Sequence, residues 1–265
     1  MTAPATANLV MTRLEPTGLL GKVEAILEVL AEHGATVGLS ELARVSGVAK
    51  PSVHRICQDL TIWGVVERNG DGFRLGPRLF ELGARVPSRR QLLDAALPPM
   101  SDLSAASGHT VHLAVGDGDE ALYVGKISGG RAIPTPSTTA GRVPMHCSAT
   151  GKCLLALGSD ERRRAVLGGE LARRTPRTIT DPARLARELD DIVARGWSRE
   201  HGELVDGFTS IAAPVVGFSG AVVAAVSVTT AVEQMDEPRT VAMVTLTARS
   251  IGRRMGGSVG ATAAG

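Results

Sequence analysis

At 265 residues, 43% of them apolar and only 3% aromatic, the chain has room for two ordinary domains whose cores must be aliphatic. A net charge of +2 is too small to establish a nucleic-acid partner, so the distribution of charge must decide that question. Three cysteines, Cys57, Cys147 and Cys153, exclude a disulfide framework and suit a reducing compartment. The opening residues lack the pattern of a leader. The longest apolar stretch, Ala221 to Val232, is interrupted by Ser227, Thr229 and Thr230 and falls short of the roughly 18 residues of a membrane span, which predicts a cytoplasmic protein.

Residues 1–17 read as a mobile arm. Val23, Ile26, Leu27 and Leu30 fall at helical spacing, and Gly34 ends that helix. Ser40 can cap a short second helix carrying Leu42, Ala43 and Val45. Ser46-Gly47-Val48 forms a tight turn, and Pro51 suits the first turn of a third helix running toward Trp63. Val65 to Arg68 and Phe73 to Leu75 then flank Asn69-Gly70-Asp71-Gly72, which predicts a β-hairpin.

Gly76-Pro77 breaks the chain. A helical stretch containing Leu79, Leu82 and Val86 follows, and Pro87 breaks it again. Leu92 to Ala106 is amphipathic. The second half predicts strands over Thr110 to Val115 and Ala121 to Ile127, and a helix over Ser148 to Leu157. A second helix starts at Asp181-Pro182 and stops at Gly196. Two more strands over Ile211 to Val216 and Val222 to Thr229 precede a closing helix from Pro238. The domain reading is an arm at 1–17, a winged helix-turn-helix at 18–76, a linker helix at 77–90, a second domain at 91–255 and a flexible tail at 256–265. The fold class is α+β.

Helix, helix, turn, helix and hairpin in that order make the winged helix-turn-helix pattern. Val53, Ile56 and Leu60 can bury one face of the third helix. Lys50, Ser52, His54, Arg55 and Gln58 lie on or near the other. Between Arg44 and Arg78 the cations Arg44, Lys50, Arg55, Arg68, Arg74 and Arg78 outnumber the anions Asp59, Glu67 and Asp71. Lys50, Ser52, Arg68 and Arg74 are expected at phosphates, and His54, Arg55 and Gln58 at base edges. A helical bundle with a solvated basic face, or a winged module that binds protein, is the alternative.

Several segments together resemble the IclR family of bacterial transcription regulators. In the first half these are Leu39-Ser40-Glu41-Leu42-Ala43, Gly47, Lys50, Val53-His54-Arg55 and Gly72 through Arg78. In the second they are His109 through Val115, Pro144 through Lys152, Thr178 through Asp181 and Ile211 through Val215. The resemblance runs from about Gly18 to Met255. It implies a C-terminal GAF-like α/β effector domain, a homodimer or dimer of dimers on a double-stranded operator, and a small organic effector such as a carboxylate. It implies regulation, with repression as the expected direction, and no catalysis, cofactor or membrane partner. Pro51 departs from the family, which often carries a small hydroxyl residue there, so one phosphate contact is expected to be missing.

The resemblance further implies an effector pocket with Ala149, Thr150 and Gly151 at a helix start, where free N–H groups suit a carboxylate. Asp206 matches a pocket loop. Ser210 matches a position often held by cysteine. Ser227 and Thr229 match polar lining residues on one strand, and Ala132 an apolar wall. Ordinary alternatives stand beside these: Ser227 and Thr229 at a solvated face, and Asp206 as a loop acid. His146, Cys147 and Cys153 also raise a metal site with no obvious fourth ligand. They raise a thiol nucleophile too, with Cys147 assisted by His146 or His112. Adjacent residues of an extended segment point apart, which disfavours the His146 pairing.

Overall fold

The computed structural model describes residues 18–83, 85–132, 137 and 139–256. The arm read at 1–17 and the tail from 257 lie outside the described residues. The chain divides into two compact units, 1–90 and 91–265.

In the first unit, α1 (Gly18–His33), α2 (Leu39–Ser46) and α3 (Lys50–Ile62) surround one aliphatic cluster. Ile26, Val29, Leu30, Leu42, Val53, Ile56, Cys57 and Leu60 are all buried in it. A two-residue strand β1 (Val37–Gly38) pairs with the hairpin of β2 (Val66–Asn69) and β3 (Gly72–Leu75) in the order β1-β3-β2. Gly47 closes the turn between α2 and α3 at φ 69°, a left-handed conformation that side chains with a Cβ resist. Val66 and Phe73 plug the hairpin into the helical core. The segment read as a linker helix contains α4 (Pro77–Gly83) and then the first turn of α5 (Pro87–Ser107). Pro87 is therefore a helix start, where its missing N–H costs nothing.

The second unit is built on one six-stranded sheet. Its strands are β4 (Thr110–Asp117), β5 (Glu120–Ile127), β6 (Arg142–Pro144), β7 (Ser198–His201), β8 (Phe208–Val216) and β9 (Val222–Ala231). The order is β6-β5-β4-β9-β8-β7 and every pairing is antiparallel, which makes the class α+β. Odd and even positions along each strand serve two different cores. Val111, Leu113, Val115, Ala213, Val226 and Val228 meet α5 and α9 (Glu237–Arg254). On the opposite face Ala114, Tyr123, Ala212 and Ala225 meet α6 (Ala149–Leu157), α7 (Asp160–Gly168) and α8 (Pro182–Arg195). The caps that end these helices are local: Ser148 accepts from Gly151 N, and Asp181 from Arg184 N.

Candidate functional site

The outward face of α3 follows from its inward one. Val53, Ile56, Cys57 and Leu60 are buried at helical spacing, so Pro51, His54, Arg55 and Gln58 are exposed and Ser52 is half-buried. Among the described residues, His54, Arg55 and Gln58 make no hydrogen bond or ion pair within the chain, and their donors stand free. Lys50 is also exposed, its Nζ donating to Ser40 Oγ at 2.9 Å. Pro51 occupies the first turn of α3, so the helix start carries one N–H fewer.

Glu67 and Arg74 are cross-strand partners on β2 and β3, and their side chains form an ion pair. Arg68 is exposed, with Nε reaching back to Gly70 O at 3.4 Å. Of the two wing cations, Arg74 is thus already engaged. An exposed pair of this kind is worth only about 0–1 kcal/mol, so a phosphate can displace the carboxylate.

In the second unit a polar floor lies on the face of the sheet that α6 covers. Registered pairing sets residues side by side in rows across the strands. One row is Thr110, Thr229, Ser210 and Glu200, and the next is His112, Ser227, Ala212 and Ser198. The following row, Ala114, Ala225 and Pro214, is apolar. The face therefore changes from aliphatic to polar along the strands. A hydrogen-bonded chain crosses it. Ser210 Oγ donates to Glu200 Oε1 at 3.0 Å and lies 2.9 Å from Thr229 Oγ1. Thr229 Oγ1 is 3.3 Å from His112 Nδ1, and His112 Nε2 is 2.7 Å from Ser137 Oγ. The His112 and Tyr123 rings stack, with centroids 4.6 Å apart.

Burial governs the charge of this floor. It pulls His112 down to about 3, helped by the nearby Lys126 ammonium, so the imidazole is neutral, with one donor and one acceptor. It lifts Glu200 to about 7, against the hydrogen bonds from Glu203 N–H and Ser210. The Tyr123 phenol is pushed up as well. The start of α6 is fixed above the floor by Ser198 Oγ, which donates to Ala149 O at 2.6 Å. It is also fixed by the fully buried Lys152, which donates to Glu203 at 2.6 Å and Glu188 at 2.9 Å. Thr150 Oγ1, on that first turn, is buried beside the Tyr123 phenol.

Ser210, Ser227 and Thr229 thus come together, and Ala149 and Thr150 are buried at the helix start beside them. Gly151 has a packing role: a Cβ there would come within 2.5 Å of Met145 O and Ser148 Oγ. Asp206 is not part of the floor, being exposed and ion-paired with Arg177. The buried carboxyl is that of Glu200, which sequence reasoning missed along with His112 and Tyr123 as floor residues. Ala132 is half-buried in the turn after β5, its N–H bonded to Gly129 O.

Met145–Cys147 forms a 3-10 turn, not the extended segment expected. His146 Nε2 bonds Ala172 O at 2.9 Å. Burial pushes the Cys147 and Cys153 thiols up to about 12 and Cys57 to about 11, so all three are protonated and poor nucleophiles. Among the described residues, no three His, Cys, Asp or Glu side chains are grouped to hold a metal ion. No described helix is long and apolar enough to cross a membrane.

Two family models match the chain. One, described as the bacterial transcriptional regulator IclR C-terminal, covers residues 84–253, and the IclR helix-turn-helix domain covers 20–70. The HTH-type transcriptional regulator KdgR of Escherichia coli (strain K12) is 33% identical over 241 residues, 89% of this chain and 91% of that protein. The HTH-type transcriptional repressor AllR of the same organism is 28% identical over 238 residues, 88% of each. The crystal structure of an IclR homolog complexed with 4-hydroxybenzoate, from Microbacterium hydrocarbonoxydans, superposes with a TM-score of 0.82 at 31% identity. The match covers 91% of this chain and 100% of that one.

Proposed function

The chain belongs to the IclR family of bacterial DNA-binding transcription regulators, which are not enzymes, and on that premise we propose that it is an effector-controlled repressor acting in the cytoplasm. The observation that carries this reading is the exposed face of α3. His54, Arg55 and Gln58 are held by a rigid aliphatic core and have no partners among the described residues. Arg55, His54 and Gln58 meet base edges in the major groove of an operator. Lys50, Ser52, Arg68 and Arg74 meet phosphates, with Pro51 starting the helix. The protein acts as a homodimer, or a dimer of dimers, so that paired helices meet paired half-sites. Repression is supported by the likeness to AllR, a named repressor.

The effector is a small organic acid. Its site is the floor of Ser210, Ser227, Thr229, His112, Tyr123 and Glu200 beneath the N–H groups of Ala149 and Thr150, with Ala132 toward its rim. The hydroxyl-rich rows and the buried Thr150 hydroxyl beside the Tyr123 phenol support this, as does the likeness to a regulator crystallised with 4-hydroxybenzoate. A ligand that prefers one arrangement of the protein shifts its population, and with it operator affinity. The test is a gel shift on the gene's own upstream DNA, with 4-hydroxybenzoate and other organic acids added. Selective binding that the acids weaken supports the reading; indifference between that DNA and scrambled DNA contradicts it.

A further inference from the structure

We propose that effector binding takes up a proton: a monocarboxylic acid enters the floor as its anion while Glu200 becomes the neutral acid beside it. This deepens the effector reading above and rests on it. Glu200 is buried at the end of the row that also holds Ser210, Thr229 and Thr110.

The groups around Glu200 explain why a second negative charge needs a proton. From β8 and β9 it faces the Ser210 hydroxyl and, beyond it, that of Thr229. Beyond Thr229, on β4, comes His112, held neutral by burial. From β5 comes the Tyr123 phenol, and from the 3-10 turn the Cys147 thiol, both pushed further toward their protonated forms by the Glu200 charge. From the following loop the Glu203 N–H donates to Glu200 Oε2 at 3.0 Å. The cation on this side is Lys152 of α6, and its ammonium is already shared by Glu203 and Glu188. Lys126 pairs in register with His112, at the far end of the hydrogen-bonded chain, with its ammonium on the Ser137 carbonyl.

With Glu200 ionised, its charge adds to those of Glu203 and Glu188, which already share the one buried ammonium, and an anionic ligand would bring a further negative charge into a poorly solvated place. Protonating Glu200 removes that repulsion and supplies an O–H donor for the incoming carboxylate. The proton is cheaply available, because burial already holds Glu200 near neutrality at about 7. No bond is broken and solvent supplies the proton.

The experiment is titration calorimetry of the full chain with benzoate, 4-hydroxybenzoate and pyruvate, and with the neutral amides of the same compounds. Buffers of different ionisation enthalpy count the protons exchanged. The acids stay ionised throughout, so their own titration does not enter. Uptake approaching one proton per carboxylate bound is expected above about pH 7, with Kd weakening toward tenfold per pH unit. The amides should show neither effect. Glu200→Gln should bind the acids with a Kd independent of pH and without proton uptake. Wild-type binding with no proton uptake overturns the proposal and leaves the effector reading standing, and this measurement does not depend on how the variant folds. Failure of every acid to bind overturns both.

Discussion

Glu200 and Ser210 face each other in register across β7 and β8, and Ser210 Oγ donates to Glu200 Oε1 at 3.0 Å. The pair connects a buried carboxyl to the hydroxyls of the floor, and so joins its protonation to folding stability and, in the proposed effector site, to ligand affinity.

The first expectation concerns stability against pH without ligand. Glu200 has a folded value of about 7 against 4.5 for the free side chain. Between those values the native state holds more protons than the unfolded one, so this group's contribution falls as pH rises. His112 has the opposite sign: its folded value of about 3 lies below 6.5, so its contribution is lost as pH falls through that window. The two oppose each other where the windows overlap. Glu200→Gln should gain on wild type by on the order of 2 kcal/mol between pH 5 and pH 8, and His112→Asn should resist acid better than wild type. Denaturant unfolding at a series of pH values reads both. Parallel pH curves for wild type and Glu200→Gln would contradict the assignment.

Removing Arg55 should affect DNA reading more than DNA gripping. Arg55→Ala is expected to cost about 1–3 kcal/mol on the specific site and much less on unrelated DNA. Competition gel shifts measure the two separately. An equal loss on all sequences would move Arg55 to the phosphates.

The Glu67–Arg74 pair on the wing gives a prediction of opposite direction. Glu67→Ala frees Arg74 and removes a negative charge facing the backbone. Affinity for any duplex should rise, and the slope of log K against log salt should steepen by about one. Arg74→Ala should change that slope by less than Lys50→Ala does. Salt titrations of the four proteins settle the order.

Lys152 and Gly151 hold the start of α6. Lys152→Ala leaves Glu203 and Glu188 without their buried counter-charge and should cost about 3–5 kcal/mol of folding stability, whereas Lys152→Met combined with Glu203→Gln should cost less. Gly151→Ala drives a methyl into the backbone of Met145 and should destabilise as well. Chemical denaturation gives each value, and an unaffected Lys152→Ala would mean that the ammonium is hydrated and not buried.

What could be read from the sequence was local. The α3 face, the wing turn and the Ser148 and Asp181 caps follow from periodicity and from donors a few residues apart, and the structure repeats them. What could not be read depended on tertiary placement. Strand β7 buries Ser198 and Glu200 and exposes Arg199 and His201, so its alternation is polar on both faces and carries no hydrophobic signal. That is why the sequence points to the loop acid Asp206 and is silent about the buried carboxyl of Glu200. His112 sits within an apolar run and reads as core until register places it beside Ser227. Helix α7 buries a single residue, Val166, so its capping serine at 159 was its one clear mark. Strand β1 is two residues long and exists through its pairing with β3.

The central claim is that the bare face of α3 reads a duplex sequence. Its most direct measurement is the affinity of the full chain, at fixed moderate salt, for its own upstream DNA against a scrambled duplex, repeated with His54, Arg55 and Gln58 all replaced by alanine. Preference for the upstream DNA in the wild type, collapsing to the scrambled level in the triple variant, is the result expected. A preference that survives the triple substitution would place recognition elsewhere and contradict the claim.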